Sequence, residues 1–285
     1  MTVLAGGAMK PIDVCIPTKN RPTHLALALS SLYHQTYRGF DVIVVDDSAT
    51  PVSTVPIIKL WSKMLADNGI KVTFYRGTGA GPQSAHNVSL HKTRKEWLLR
   101  FDDDCYIAPN YIEKLLGPGK EFLSNQKVGA VGGSVPYVRG YDVLDTAPPD
   151  EYGKMLKQPD GTVVPYEQQT VVYNVPGAYY VTHIRSSFMY RVAAAGDVGG
   201  YPTEYSNVGH REETHFTAAL HFAGYDCIVV PSAVCWHFQD YEGIGGIREG
   251  YENDDDPKLR KQQDADEKKF QEWVKGAISR GRKTR

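Results

Sequence analysis

Short hydrophobic segments alternate with longer segments whose apolar side chains recur every three or four positions through the first hundred residues of the chain. The short segments predict buried strands, and the periodic segments predict amphipathic helices. Alternation of this kind is typical of an α/β domain in which helices connect the strands of a mostly parallel sheet. The predicted strands are residues 12–17, 41–47, 70–75 and 97–101, and the predicted helices begin near Pro22, near Ile57 and near Ser84 or Ala85.

The rest of the chain is less regular. Residues 111–123 predict a further helix, and residues 128–133 predict another buried strand. Residues 136–173 contain prolines, glycines and tyrosines in a composition typical of loops, so they predict an irregular insertion beside the sheet. Such an insertion is either a lid over a substrate or a surface excursion without a role, and the sequence leaves both open.

Acidic residues directly follow or end two of the predicted strands. Asp46 and Asp47 end the second strand, and Asp102, Asp103 and Asp104 follow the fourth. Parallel strands bring their carboxyl ends to one edge of the sheet, where ligands bind in open α/β folds. Adjacent carboxylates repel one another, so the triplet favours a positive partner, most simply a divalent cation that also carries a phosphate. A solvated acidic turn is the alternative for either group.

Several short motifs occur in an order and at spacings that together resemble the family 2 glycosyltransferases over roughly residues 11–240. Two positions depart from the family pattern, because His86 stands where arginine is usual and Glu213 stands where aspartate is usual. The motifs are Ile16-Pro17-Thr18-Lys19-Asn20-Arg21, Val44-Val45-Asp46-Asp47-Ser48, Ser84-Ala85-His86-Asn87, Asp102 with Asp104, Gly209-His210-Arg211-Glu212-Glu213, and Trp236-His237.

The resemblance implies the GT-A fold, a Rossmann-like α/β domain over residues 1–240, with a charged helical extension over residues 241–285. Within the domain it implies a nucleotide-sugar half over about 11–135 and an acceptor half over about 136–240. The implied activity is a hexosyltransferase-type transfer of sugar from a nucleotide diphosphate-sugar, a UDP-sugar before a GDP-sugar, to a hydroxyl of an unknown acceptor. A single displacement that inverts the anomeric carbon is expected, and a retaining outcome stays open.

The resemblance also assigns roles to individual residues. Asp104 and His237 are expected to hold Mn²⁺ or Mg²⁺, and a nitrogen ligand suits Mn²⁺ better. Glu213 is expected to act as the general base, with Glu212 beside it as a charge that stabilises the start of a helix. The residues expected to bind the nucleotide-sugar are Pro17, Thr18, Asn20, Arg21, Asp46, Asp47, Asp102 and Asp103.

Two other functions remain open at this stage. Nucleotidyl transfer also uses parallel sheets with acidic metal sites, but a glycine-rich basic loop usually follows its first strand. Here Lys19 and Arg21 follow Pro17 without a glycine run. The second alternative is a nucleotide-sugar-binding module that has lost its chemistry, and the substitutions at His86 and Glu213 leave room for it.

Composition and charge narrow the range of partners. The formal net charge of −1 gives no overall basic field, which argues against nucleic acid as the main partner. No apolar run is long enough to span a bilayer, and no secretory signal pattern opens the chain. The four widely spaced cysteines indicate reduced core residues, so a cytoplasmic protein is expected.

The C-terminal end differs from this average composition. Residues 257–285 contain ten lysines and arginines against four acids, and Phe270, Trp273, Val274 and Ala277 recur at helical spacing among them. The pattern predicts either a helix that packs on the body or contacts a partner or membrane surface, or a solvated terminal helix with a frayed basic end. The second is the commoner outcome at a chain terminus.

Overall fold

The computed structural model of the chain describes residues 11–139, 142–144, 155–165, 177–238, 246, 249–252 and 255–280. Its strands are β1 (Ile12–Thr18), β2 (Phe40–Asp46), β3 (Val72–Arg76), β4 (Trp97–Arg100), β5 (Cys105–Ile107), β6 (Val128–Ser134), β7 (Tyr137–Arg139), β8 (Asp142–Leu144), β9 (Met155–Lys157), β10 (Val163–Pro165), β11 (Tyr179–Val181), β12 (Phe188–Arg191) and β13 (Asp226–Phe238). Its helices are α1 (Pro22–Tyr33), α2 (Pro56–Asp67), α3 (Pro82–Lys92), α4 (Tyr111–Leu115), α5 (Glu121–Ser124), α6 (Val192–Asp197), α7 (Glu212–Phe222) and α8 (Pro257–Ser279), and short 3-10 helices lie at Val52–Thr54 and Pro118–Lys120.

The main sheet is mixed but mostly parallel in its first half. Its strands run in the order β3, β2, β1, β4, β12, β6, β13, β7 and β8. β1, β2, β3 and β4 are parallel to one another, β12 is antiparallel to both of its neighbours, and β13 is parallel to β6. The predicted α/β architecture is confirmed. The sequence did not predict the central antiparallel strand, because four residues, Phe188–Arg191, are too few to show a period.

Helices cover both faces of the sheet, and an apolar cluster lies on each face. The two faces follow from the alternation of side chains along β4, because Trp97 and Leu99 belong to one cluster and Leu98 belongs to the other. The first cluster contains the predicted apolar face of α1, which is fully buried. The second contains Phe188 on β12 and Phe216 on α7, so it fixes α7 against the sheet near the ends of β4 and β12.

β13 extends from the main sheet into the region where predicted site residues meet. Its register with β6 shifts between Val230 and Val234, and such an irregularity bends a strand. Beyond the shift, β13 pairs with β5 and β7, and His237 lies directly opposite Cys105. The bend therefore places His237 beside the residue that follows Asp104.

The single helix predicted over residues 111–123 is wrong. α4 ends at Leu115, and a short 3-10 helix and α5 follow it. Gly117 and Gly119 have φ values of 75° and 59°, a left-handed conformation that stops a helix, and Pro118 lies between them. α3 begins at Pro82, two residues before Ser84, because proline is well suited to the first helical position.

The C-terminal helix packs on the body of the protein instead of standing free in solvent. α8 contacts α7 and the hairpin formed by β9 and β10. Phe270, Val274 and Ala277, three of the four apolar residues predicted to share a face, are buried in this contact. The solvated helix, favoured from the sequence, is therefore wrong for residues 257–279, while residues 281–285 lie outside the described part.

The irregular insertion predicted over residues 136–173 contains short strands where it is described, namely β7, β8, β9 and β10. Residues 140–141, 145–154 and 166–173 of the predicted insertion lie outside the described residues. The four cysteines are buried and free, as predicted. In the part of the chain that the structure describes, no helix combines the length and the apolar character that crossing a membrane requires.

Candidate active site

The turn after β1 and the acidic triplet after β4 lie side by side, because the two strands pair in parallel. Thr18 Oγ1 donates a hydrogen bond of 2.7 Å to Asp103 Oδ2. Arg21, just before α1, forms ion pairs with Asp103 and with Asp104, the latter at 3.1 Å between Nη1 and Oδ2. Arg21 is therefore a positive partner of the triplet within the protein. Asp103 binds both Thr18 and Arg21, so it stabilises the turn after β1.

Asp104 and His237, the predicted metal ligands, lie in contact. Asp104 Oδ1 is 3.2 Å from His237 Nε2. Burial alone would lower the pKa of His237, but the Asp104 carboxylate raises it to about 9. Burial alone would raise the pKa of Asp104, but His237 and Arg21 hold it well below its usual range. The two side chains thus form a charged pair at the edge of the sheet.

The donor atoms in this region fit a divalent cation. Asp104, Cys105 and His237 each offer one ligand atom, and these atoms lie within 4.8 Å of one another. The 3.2 Å between the Asp104 oxygen and the His237 nitrogen is close to the separation of two neighbouring ligands on one octahedral ion, about 3 Å. A cation bound there would replace the proton on His237, since metal ligation requires the neutral imidazole.

The other predicted acidic pair, Asp46 and Asp47, makes two different sets of contacts. The Asp46 oxygens accept hydrogen bonds from the backbone N–H groups of Ser48 and Val52 at 2.9 and 2.8 Å. Asp47 Oδ1 accepts one from the N–H of Gly79, in the glycine-rich loop before α3, at 2.8 Å. Both oxygens of Asp46 hold the turn after β2, so Asp47 is the carboxylate with more capacity left for a ligand.

Pro17 lies near the end of β1, and Asn20 lies in the turn that follows this strand. Pro17 lies opposite Val45 in the parallel pairing of β1 and β2. Asn20 has a φ of 55°, a left-handed conformation that asparagine tolerates. Its backbone N–H donates to Ser48 Oγ at 2.7 Å, and its side-chain Oδ1 accepts from the Ala49 N–H at 3.0 Å. The turn is therefore tied to the end of β2, where Asp46 and Asp47 lie.

Gly246 and Glu249, which lie between β13 and α8, contact this turn, and the sequence did not predict these contacts. The Gly246 N–H donates to the Lys19 carbonyl at 2.7 Å. The Glu249 carboxylate accepts from Asn20 Nδ2 at 3.0 Å and lies 3.4 Å from Lys19 Nζ. Gly246 has a φ of 80°, a left-handed conformation that favours glycine, and a Cβ added there would lie 2.9 Å from Arg21 Cζ. No local pattern signals such a contact between two distant loops.

Glu213, the predicted base, is held by a buried arginine whose role the sequence does not predict. Arg100 Nη2 lies 2.7 Å from Glu213 Oε2 and 3.3 Å from Glu212 Oε1. Arg100 Nε lies 3.4 Å from Asp102 Oδ1. Arg185 Nε adds a second cation 3.4 Å from Glu213 Oε1. The carboxylates of Asp102, Glu212 and Glu213 thus share the Arg100 guanidinium. This guanidinium connects the acidic triplet to the start of α7.

The two glutamates at the start of α7 differ in exposure. The side chain of Glu213 is 13% exposed and that of Glu212 is 3% exposed. Burial raises the pKa of Glu213 to about 7, a rise that Arg100 opposes and Glu212 reinforces. A carboxylate with a pKa near neutrality is suited to accept a proton during catalysis at neutral pH. The exposure and the raised pKa of Glu213 are the properties that its predicted role as the base requires.

His86 is fully buried next to Asp102 of the acidic triplet. Burial, with a further effect from Arg100, lowers its pKa well below the ordinary value. Its ring stacks on Tyr201 at 4.9 Å between centroids, and its Nε2 lies 4.0 Å from Asp102 Oδ1. Arg100 therefore supplies positive charge next to Asp102, in a region where the family pattern has an arginine at position 86. Arg100 is a charged residue at the end of the buried strand β4, and this position is the sequence feature that could have indicated its role.

The model of the family described as Glycosyl transferase family 2 matches residues 13–173, more than half of the chain. The chain belongs to glycosyl transferase family 2. The match contains the β1 turn and the acidic triplet of this family 2 protein, whereas Glu213, His237 and α8 lie beyond it. The predicted family is confirmed, and membership in it favours glycosyl transfer over nucleotidyl transfer.

Relatives of this family 2 protein match it over part of their length. A Haemophilus influenzae protein described as an uncharacterized glycosyltransferase is 30% identical over 108 residues. That alignment covers 38% of the present chain and 42% of the relative. The chain thus matches well under two thirds of the relative, and the similarity concerns the shared domain.

Solved structures resemble this family 2 protein in fold. A crystal structure of GalNAc-T7 with UDP, GalNAc and Mn²⁺ has a TM-score of 0.64 at 16% identity, covering 81% of this chain and 44% of that one. The mannosyltransferase PcManGT from Pyrobaculum calidifontis, in complex with GDP-Man and Mn²⁺, has a TM-score of 0.55 at 19% identity, covering 82% and 58%. The GT-A fold implied by the motifs is thereby confirmed.

Proposed function

We propose that this protein transfers a sugar from a nucleotide diphosphate-sugar to an acceptor hydroxyl, with the help of a divalent cation held by Asp104 and His237. One observation carries the proposal. This chain of glycosyl transferase family 2 has an Asp104–His237 pair and a Glu213 carboxylate. Arg100 connects them, because it contacts both Glu213 and Asp102, which belongs to the same acidic triplet as Asp104. A metal-diphosphate site and a general base are the two chemical groups that such a transfer requires.

The donor is expected to bind across the ends of β1, β2 and β4. Arg21 and the Asp103 carboxylate shape the floor of this region, and Asp47 is the strand-end acid with capacity for the ribose or base. Proteins of similar fold were solved with UDP and with GDP-Man. We favour a UDP-sugar because the UDP-bound structure has the higher TM-score, 0.64 against 0.55, and a GDP-sugar is the alternative.

The cation, when bound, neutralises the charge that develops on the departing diphosphate, without a proton. The residues of the chain perform the other tasks. The Glu213 carboxylate takes the proton from the acceptor hydroxyl while the hydroxyl oxygen attacks the anomeric carbon. A new bond forms between this oxygen and the anomeric carbon as the bond to the diphosphate oxygen breaks. Attack from the face opposite the leaving group inverts the anomeric centre.

We propose that the two halves of the domain divide this work. Residues 11–135 contain the β1 turn, the end of β2 and the acidic triplet, and therefore hold the donor. Residues 136–240 contain Glu213 and His237, and they supply the base and the second metal ligand. An acceptor that approaches Glu213 would lie on the side of α7 and of the loop before β12 that contains Arg185.

A donor screen tests the proposed function. The purified chain would be incubated with UDP-sugars and GDP-sugars in Mn²⁺, in Mg²⁺ and in EDTA, and the release of nucleoside diphosphate would be measured. We expect slow hydrolysis of one donor class in Mn²⁺, none in EDTA, and a higher melting temperature with the matching nucleoside diphosphate. Release that is equally fast in EDTA would contradict the metal assignment.

Nucleotide binding without turnover would have a different meaning. A rise in melting temperature with a nucleoside diphosphate and Mn²⁺, without release from any donor in the presence of sugar and polyol acceptors, would support the binding module instead. If transfer occurs, the anomeric configuration of the product, measured by NMR, decides between inversion and retention.

A further inference from the structure

Arg211, the residue that precedes Glu212 and Glu213, has an unusual backbone conformation. Its φ is 69°, in the left-handed region that residues other than glycine rarely adopt. Its carbonyl accepts the hydrogen bond from the His215 N–H at 2.8 Å, so Arg211 sets the direction in which α7 begins. A backbone conformation of this kind persists where surrounding contacts hold it in place.

Contacts that hold Arg211 come from α8. Arg211 Nε donates a hydrogen bond of 2.6 Å to Glu267 Oε2, and its guanidinium carbon lies 5.6 Å from the centre of the Phe270 ring. His210 Nε2 lies 3.4 Å from the same Glu267 oxygen. The other oxygen of Glu267 accepts a hydrogen bond of 2.7 Å from Gln271 Nε2, so the carboxylate is fixed on α8 itself.

α8 also holds the chain on either side of Arg211. The fully buried Asp266 accepts hydrogen bonds from the backbone N–H and the hydroxyl of Ser206, the first at 2.9 Å. One turn into α7, the His215 ring lies 3.7 Å from the Trp273 ring between centroids. The start of α7 therefore lies between two anchoring points on α8, with the Glu267–Arg211 ion pair between them.

We propose that α8 positions the catalytic Glu213 through Glu267 and Arg211, so that Glu267 is a positioning residue for the transfer reaction. The ion pair holds the left-handed turn at Arg211, and this turn directs the first residues of α7 toward Arg100. The inference rests on the proposed function, in which Glu213 is the base. It extends that function to a helix outside residues 13–173, the part matched by the family model.

The charge state of Glu267 agrees with this geometry. Burial would raise the pKa of its carboxyl, but His210 and Arg211 hold it at about 2. Glu267 is therefore ionised wherever the enzyme is expected to act. The Glu267→Gln variant keeps the size of the side chain and its contact with Gln271, and it removes the charge that holds Arg211.

The test compares Glu267→Gln with Glu272→Gln, a substitution of an exposed glutamate on the same helix. For Glu267→Gln we expect kcat to fall about 10-fold, because a misplaced catalytic group slows the reaction without weakening binding. The KM for the donor and the affinity for UDP, or for GDP if GDP is the nucleotide bound, should stay within about 2-fold, because the donor site lies on other elements. Glu272→Gln should match the wild type in all these values.

Arg211→Gly provides the second variant, because glycine adopts the left-handed conformation freely but cannot form the ion pair. It should also lower kcat about 10-fold. Adding Glu267→Gln to Arg211→Gly should cause no further loss, because Glu267 acts through Arg211. A double variant whose losses multiply, or a Glu267→Gln variant with wild-type kcat, would overturn the proposal.

Hydrogen exchange separates this inference from the proposed function. Amides of residues 207–217 should exchange faster in Glu267→Gln than in Glu272→Gln or the wild type, whether or not a donor has been found. Unchanged exchange there would overturn the positioning role. Faster exchange in a protein that transfers no sugar would instead contradict the proposed function. It would still support the role of Glu267 in holding the start of α7.

Discussion

The guanidinium of Arg100 lies 2.7 Å from the carboxylate of Glu213 and joins the end of β4 to the first turn of α7. The same guanidinium lies 3.4 Å from Asp102, in the acidic triplet. One buried cation therefore contacts both a predicted nucleotide-site residue and the predicted base. Its removal should affect stability as well as catalysis.

We expect Arg100→Met to lower the free energy of unfolding by about 3–5 kcal/mol, because removing one partner of a buried ion pair leaves the others without compensation. Glu212, Glu213 and Asp102 would all lose this partner. Urea denaturation followed by circular dichroism measures the effect. Arg94→Met, at an exposed arginine, is the control and should change stability by less than about 1 kcal/mol. Equal effects of the two variants would contradict the structural role of Arg100.

Glu213→Gln should reduce kcat by about 10²–10⁴-fold, because an amide cannot accept the proton of the acceptor hydroxyl. Nucleotide binding, measured by thermal shift, should be retained. Glu212→Gln is the matched control and should be milder, since Glu212 is almost fully buried and lies farther from Arg100. A larger loss for Glu212→Gln would assign the base to Glu212.

The rate should depend on pH through Glu213, whose pKa is raised to about 7. Below this pH the carboxyl is protonated and cannot act as a base, so kcat/KM should fall as the pH decreases from about 8 to 6. Measuring kcat/KM across this range with constant Mn²⁺ tests the expectation. A profile that stays flat from pH 6 to 8 would contradict the assignment.

Asp104→Ala should abolish the metal requirement together with the activity. We expect at least about a 100-fold loss of transfer, as for other groups that stabilise developing charge, and weaker Mn²⁺ binding in a calorimetric titration. His237→Ala should weaken Mn²⁺ binding in the same assay. Asp264→Ala, at an exposed position on α8, is the control for loss of one acid. Near-wild-type, metal-dependent transfer by Asp104→Ala would remove Asp104 from the site.

Asp46→Asn should mainly lower the stability of the protein, whereas Asp47→Asn should mainly weaken nucleotide binding. Asp46→Asn should lower the free energy of unfolding by about 1–3 kcal/mol, because one oxygen that accepts a backbone hydrogen bond is replaced by a donor group. Asp47→Asn should leave stability nearly unchanged and weaken nucleotide binding. Denaturation and nucleotide titration of both variants measure the two effects, and the reverse pattern would exchange the two roles.

Much of the site could be predicted because its residues lie at positions that local patterns mark. The hydrophobic runs before Asp46 and Asp102 predict strands, and acids at the ends of parallel strands meet at one edge. Other contacts in the site were harder to predict. Arg100 and Arg185 contact Glu213, and Glu249 contacts Asn20, from distant positions in the chain, and such contacts leave no local period in the sequence.

The sequence by itself determined the α/β class, the order of the first strands and helices, and the family, because periodicity and motif spacing are local properties. Only the tertiary structure decided that the predicted helix over 111–123 is divided, that α8 packs on α7, and which cation each carboxylate meets. These outcomes depend on long-range packing. A bent β13 places His237 beside Asp104, and the buried Arg100 contacts both Glu213 and Asp102. Folding brings these residues together although they are far apart in the sequence.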